Sequence, residues 1–283
     1  MDKFRIYAFA DEASASIPAQ VTAMLKNGLN GLEIRNVDGE NVSVISIEKA
    51  KEVNKLLKDN GLITWSIGSP IGKIGINDAY EPHLDTFRHT LDVAHALECC
   101  NLRMFSFFMP KDEDPAQYRN KVMDRLAKMV EIAEGSGVKL CHENEKGIYG
   151  DNAARCREIL DAFPQMGGIF DPANFVQVGQ ETLAAWELLK DRICYMHIKD
   201  ALADGKVVPA GCGIGNVPAI AKAFIAQGGR DFTMEPHLKV FSGLAALERE
   251  GDTSEVGSVY TYESNEIAFD AACEAFRNIL KEA

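Results

Sequence analysis

Eight short runs of apolar, β-branched and aromatic residues recur along the 283-residue chain, each followed by an amphipathic helical stretch. This alternation constrains the fold more than any other feature. Parallel strands joined by helices either close into a barrel or spread into an open, doubly wound sheet. The strand candidates are Phe4–Ala10, Gly31–Arg35, Ile63–Ile67, Leu102–Phe108, Val138–Glu145, Gly168–Asp171, Ile193–Asp200 and Asp231–Glu235. The clearest helices fall at Ile17–Asn27, Ser46–Asn60 (stopped by Gly61), Ala116–Gly135, Asn152–Phe163, Glu181–Leu189 and Glu266–Glu282, with another ending near Ala96. An open dinucleotide-binding sheet needs a glycine-rich turn after its first strand, and here that turn reads AFADEAS. The spacing therefore predicts an α/β protein of the (β/α)8 TIM-barrel type, one domain over residues 1–283, near the roughly 250 residues such barrels need.

Composition removes several function classes. No apolar run approaches the roughly 18 residues of a membrane span, and the first apolar stretch soon meets Asp11 and Glu12, so a cytoplasmic protein is expected. Seven cysteines without CxxC spacing give neither a disulfide framework nor a zinc finger. A net charge of −12 disfavours a nucleic-acid partner, because phosphate binding draws on clustered Lys and Arg. A small-molecule partner and no membrane partner are expected; a homo-oligomer is compatible with the sequence.

Strands five to eight each end with one group able to bind a metal: Glu143, Asp171, His197 and Glu235. In a barrel, successive strand ends lie along one rim, so the four side chains converge. Three carboxylates and one imidazole suit Mn²⁺ or Mg²⁺, with Co²⁺ or Zn²⁺ as alternatives. On the seventh strand, period two places Tyr195, His197 and Lys199 on one face and Cys194, Met196 and Ile198 on the other. His142 alternates away from Glu143 and is expected beneath a helix. His83, His89 and His95 scatter around their helix and form no cluster.

The segments HENE, FDPAN, MHIKD and MEP, in this order and spacing, resemble the xylose-isomerase-like TIM-barrel superfamily of sugar phosphate isomerases and epimerases; LEIR and GCGIGN are similar to its patterns as well. The resemblance spans essentially the whole chain. It implies that Glu143, Asp171, His197 and Glu235 bind one divalent cation, and that Glu143 and Glu235 act as catalytic acid and base. At two positions the chain departs from it: Asn174 and Glu145 stand where many relatives carry histidine.

The chemistry follows independently. A cation chelated by neighbouring carbonyl and hydroxyl oxygens acidifies the carbon-bound proton by stabilising the enediolate. One carboxylate removes the proton and another returns it. Glu143 and Glu235, at the two ends of the ligand arc, are the candidates. Glu33, Lys73, Glu145, Asn174, Lys199 and His237 are candidate substrate contacts, and Trp65 is core, pocket wall or a stacking platform. The loops after strands seven and eight carry glycine amides at Gly211–Gly215 but few cations, which favours an unphosphorylated substrate. Leu238–Glu263 is the candidate lid.

The function expected is metal-dependent isomerisation or epimerisation of a ketose, keto-glycoside or related polyol. The same enediolate could expel a β-substituent, which makes a lyase or inosose-type dehydratase the runner-up. An abasic-site endonuclease shares this barrel but needs a basic groove and more rim histidines. A non-catalytic subunit of a larger complex is the remaining alternative.

Overall fold

A computed structural model of the chain describes residues 4–244, 256–257 and 259–282. The eight expected strands are β1 (Arg5–Ala8), β2 (Gly31–Ile34), β3 (Ile63–Ile67), β4 (Asn101–Met104), β5 (Lys139–Glu143), β6 (Gly167–Phe170), β7 (Ile193–Ile198) and β8 (Asp231–Met234). They pair in parallel in chain order and close when β8 returns to β1, with Ala8 opposite Met234. Around them lie α1 (Ile17–Lys26), α2 (Ile47–Asp59), α3 (Glu81–Ala96), α4 (Arg119–Ala133) and α5 (Ala153–Ala162). The helices α6 (Pro172–Gln177), α7 (Thr182–Leu189), α8 (Val217–Ala226) and α9 (Asn265–Lys281) follow. This is the (β/α)8 barrel that the alternation predicts. No helix among the described residues is long and apolar enough to cross a membrane.

Period two sorts the strand side chains. Leu32, Ile34, Leu102, Met104, Met196, Ile198, Phe232 and Met234 join the main core shared with the helices. Cys141, Ile169 and Tyr195 form a separate cluster with Trp65 packed on it. Tyr7 stacks on Trp65 at 4.6 Å between ring centroids and donates its hydroxyl to Asp231 at 3.1 Å. These side chains plug the barrel interior near its amino-terminal end, leaving the polar positions together at the other.

The register also corrects one expectation. Gly168 opposes Ile193 and Ile169 opposes Tyr195, so Cys194 is the extra residue of a β-bulge. It packs against the inner cluster, apart from Met196 and Ile198.

Strand ends differ from the sequence expectation where loops compete for the backbone. The fourth strand leaves the barrel at Met104, four residues short of Phe108. Beyond it, the amides of Phe105, Phe107 and Phe108 donate to the carbonyls of Ile71, Gly72 and Ile74, joining two rim loops. The helix α6 was not anticipated. Asp171 caps it, Oδ1 accepting from Asn174 N at 3.0 Å, with Pro172 at the first helical position. The helix α8 was not anticipated either; it too begins with a proline in its first turn, after a left-handed Asn216. Of the expected lid, residues 245–255 and 258 lie outside the described residues.

The loop after β7 is built around one carboxylate. Asp200 is fully buried and accepts backbone N–H bonds from Ala201, Gly211, Gly213 and Gly215 at 2.9–3.1 Å. A Cβ at Gly213 would overlap Asp200 Oδ1, and one at Gly215 would lie 2.6 Å from it, so this approach requires glycine at both positions. The amides that could have cradled a phosphate are therefore occupied by the chain itself. Burial pushes the Asp200 carboxyl up, while the four backbone donors oppose it.

Replacing Asp200 by Ala leaves the buried Ala201 and Gly215 donors and the half-buried Gly211 and Gly213 donors without their acceptor and should cost roughly 2–4 kcal/mol. Denaturant titration is expected to show that loss, with Asp200→Asn intermediate. Equal midpoints for Asp200→Ala and the unmodified chain would contradict the role given to the carboxylate.

Candidate active site

The four expected ligands meet at the carboxyl ends of consecutive strands. Glu143 closes β5, Asp171 follows β6, His197 lies in β7 and Glu235 follows β8. All four are buried, and one ligand atom from each lies within 4.8 Å of the others. His197 is held from both sides. Its Nδ1 is 2.9 Å from Glu143 Oε1 and 3.5 Å from Glu235 Oε2, while Nε2 is 3.0 Å from Glu33 Oε2. Glu33 Oε1 accepts from the Tyr195 hydroxyl at 3.0 Å. Glu33 thus fixes the ring orientation that turns Nδ1 toward the other ligands.

Three cations enter this carboxylate cluster. Lys199 Nζ lies 2.8 Å from Asp171 Oδ2 and 2.9 Å from Glu235 Oε2. Arg103 Nη1 donates to Glu143 Oε2 at 3.1 Å and lies 3.6 Å from Glu235 Oε1. Arg35 makes a two-nitrogen contact with Asp11 at 2.9 and 3.0 Å and reaches Glu12 and Glu235 at 3.2 Å each. The Phe9 ring lies against both guanidinium groups, 4.5 Å from Arg35 and 4.7 Å from Arg103.

Electrostatics follow from this packing. Burial pushes the Asp171 carboxyl up to about 7; Lys199 opposes the shift, and the charges of Glu235 and Glu143 add to it. Burial would raise Glu235 as well, but Lys199, His237 and His197 together hold it well below the usual carboxylate range. Burial opposes charge on His197, yet Glu143 and Glu33 raise it well above an ordinary imidazole.

These residues fit a divalent cation. Asp171 Oδ2 is buried and has an ion pair to Lys199 but no aligned hydrogen bond. Such an atom is available as a ligand, beside two further carboxylates and an imidazole whose other nitrogen is already anchored. A second group, Glu12, Glu235 and His237, also has ligand atoms within 4.8 Å. There Arg35 already supplies the positive charge, through its contacts with Glu12 and Glu235.

Above the cluster opens a small pocket of about 60 Å³. Of the expected substrate contacts, Lys73, Glu145, Asn174, Lys199 and His237 line it. Glu33 does not; it is fully buried under His197. Lys73 pairs with Glu145 at 2.8 Å and lies 4.5 Å from the centre of the Phe105 ring. Asn174 donates to Asn144 O at 2.9 Å and to Glu143 Oε1 at 3.4 Å. His237 has a left-handed backbone (φ 47°), rare for a non-glycine residue, and its N–H donates to Glu12 Oε2 at 2.6 Å. Trp65 sits in the barrel plug and does not line the pocket. His142 stays out of the cluster, 3.0 Å from Ser106 Oγ, and burial lowers it to about 3.

Sequence reasoning missed Arg35, Arg103, Asp11 and Glu12. A signal existed for both arginines. Arg103 interrupts the apolar run LRMFSFF, and Arg35 follows Glu33 by one strand period in LEIR. A lone cation in a buried strand implies an inward carboxylate partner.

The family model described as a xylose isomerase-like TIM barrel matches residues 21–250. No curated protein sequence matches the chain. Among solved structures, it is similar to a probable 3-DHS dehydratase from Bacillus anthracis involved in petrobactin synthesis. The TM-score is 0.73 at 15% identity, covering 97% of this chain and 99% of the other. The IOLI protein, solved with a zinc atom, also superposes with a TM-score of 0.73 at 15% identity, covering 98% of each chain. A 3-keto-D-glucoside 4-epimerase from E. coli gives 0.66 at 16% identity over 94% of each. At these identities the likeness is one of fold.

Lys199→Met should leave Asp171 without its cation and Glu235 with only Arg35 and Arg103, and destabilise the metal-free protein by about 3–5 kcal/mol. Melting in a chelator should show the loss, and added Mn²⁺ should reverse much of it. A variant that melts with the unmodified chain in chelator would show that the ammonium does not carry this compensation.

Proposed function

The chain belongs to the xylose isomerase-like TIM barrel family, and from that premise we propose that it is a divalent-metal-dependent isomerase or epimerase. Its substrate is an unphosphorylated ketose, keto-glycoside or related polyol. The observation that carries this reading is the pairing of Glu143 and Glu235. They come from opposite ends of the ligand arc and lie 3.1 and 3.6 Å from the same guanidinium nitrogen of Arg103, with Glu235 lining the pocket above the cluster.

Glu143, Asp171, His197 and Glu235 would hold the ion. When bound, it supplies the positive charge that acidifies a proton on carbon next to a carbonyl. The remaining steps fall to the side chains. One glutamate takes the proton from carbon and the other returns it, on the opposite face for epimerisation. Arg103 and Lys199 line the pocket beside them and supply donors for oxygens that gain charge during the transfer. Lys73, Glu145, Asn174 and His237 offer hydrogen bonds to sugar hydroxyls. The engagement of the Gly211, Gly213 and Gly215 amides by Asp200 supports a substrate without phosphate.

The test is solvent exchange. In D₂O with Mn²⁺ and a panel of unphosphorylated ketoses and 3-keto-glycosides, the unmodified chain should wash deuterium into the carbon beside the carbonyl of its substrate. Glu143→Gln and Glu235→Gln should each reduce that exchange at least a hundredfold by NMR. Undiminished exchange in either variant would remove that residue from the proton path.

A further inference from the structure

The bulge at Cys194 opens a second chemical site at the opposite end of the barrel. Lys139 begins β5 and Cys194 is the second residue of β7, with Gly167, the first residue of β6, between them. A Cβ at Gly167 would overlap Cys194 Sγ and come within 3.0 Å of Lys139 Cε. The absent side chain leaves the space through which the thiol reaches across β6. Lys139 Nζ lies 2.8 Å from Cys194 Sγ, closer than the about 2.9–3.0 Å of an ordinary N–H···O bond although sulfur is the larger atom. Cys194 is half-buried and Cys141 is fully buried beside it.

We propose that Cys194 and Lys139 are an oxidation-dependent cross-linking pair, joined by a sulfur–nitrogen bond when the protein meets a peroxide. The thiolate of Cys194 first attacks hydrogen peroxide: the S–O bond forms, the O–O bond breaks, and hydroxide leaves and is protonated to water. The product is a sulfenic acid. The Lys139 amine then attacks that sulfur. The S–N bond forms, the S–O bond breaks, and the oxygen departs as water with a proton from nitrogen. One peroxide is reduced to two waters, and the thiol–amine pair is oxidised by two electrons.

The surroundings favour both steps. Hydrogen bonding from Cys141, with Lys139 adding to it, brings the Cys194 thiol down to about 6 against the effect of burial. That thiolate is reactive at neutral pH. Against the effect of burial, the neighbouring Cys194 raises the Lys139 amine and keeps it protonated while the thiolate is reduced. Oxidation to neutral sulfenic acid removes the charge that holds the proton on nitrogen, freeing the nucleophile when it is needed. The link would tie β5, which carries Glu143, to β7, which carries His197. It would lie beneath Tyr195, whose hydroxyl bonds Glu33.

The full-length chain is treated with hydrogen peroxide, alkylated and mapped by mass spectrometry; exposed Cys100 and Cys212 report the oxidant dose. Expected is a peptide pair joining Lys139 to Cys194, about 2 Da lighter than the sum of its parts and cleaved by dithiothreitol. The cross-link should raise the melting temperature. Lys139→Arg keeps the positive charge but should stop at a sulfenic acid that dimedone traps, and Cys194→Ser should give neither product. A Cys141–Cys194 disulfide, an oxidised Cys194 unattached to Lys139, or a Cys194 still fully alkylatable once Cys100 and Cys212 are consumed would each overturn the proposal.

Discussion

Three carboxylates, Glu143, Asp171 and Glu235, are buried within reach of one another, and much of the surrounding structure answers to their mutual repulsion. Desolvating each ion costs several kcal/mol before repulsion is counted. Lys199 bridges Asp171 and Glu235, Arg103 stands between Glu143 and Glu235, and Arg35 ties Glu235 to Asp11 and Glu12. The two arginines are themselves like charges in close quarters. Phe9 lies against both, its ring face attracting each guanidinium. Even so, Asp11, Glu12, Glu33, Glu143, Glu145, Asp171 and Glu235 outnumber Arg35, Lys73, Arg103 and Lys199. The excess of negative charge is what a divalent cation would offset.

The backbone serves the same cluster. Asp171 is both a helix cap and a metal-ligand candidate: Oδ1 is committed to Asn174 N, which leaves Oδ2 turned toward Lys199. Asp200, three residues after His197, gathers the Gly211–Gly215 loop around its own carboxylate and fixes the chain leaving β7. Glu145 and Asn174, both in the pocket wall, each answer a neighbour. Glu145 neutralises Lys73, and Asn174 donates toward Glu143. The pocket wall is therefore lined by an ion pair and an amide there.

Much of this was legible beforehand, for identifiable reasons. The barrel follows from eight repetitions of one local pattern, and its core strands sort inside from outside by period two. The convergence of Glu143, Asp171, His197 and Glu235 follows because closure forces consecutive strand ends onto one rim. Glu33 was legible as an inward residue but not as an anchor for His197, since that depends on Nε2 reaching back across the barrel to β2. Arg103 was passed over inside an apolar run. Trp65 was left between core and pocket until the stacking on Tyr7 placed it in the plug. The end of β4 at Met104 could not be read from propensity, because the apolar run continues while the backbone amides change partners to the Ile71–Ile74 loop and Phe107 turns left-handed.

The sequence by itself determined the barrel, the order of its strands and the four side chains that meet at its rim, because these rest on periodicity and closure. Only the tertiary structure decided which charges face each other across that rim, that Glu33 lies under His197, and that Asp200 takes the glycine amides for itself. It alone decided that a one-residue bulge carries Cys194 over Gly167 to Lys139. Those outcomes depend on contacts between residues far apart in the chain, where a shift of a single ångström or a single register step changes the partner, and no local pattern carries that information.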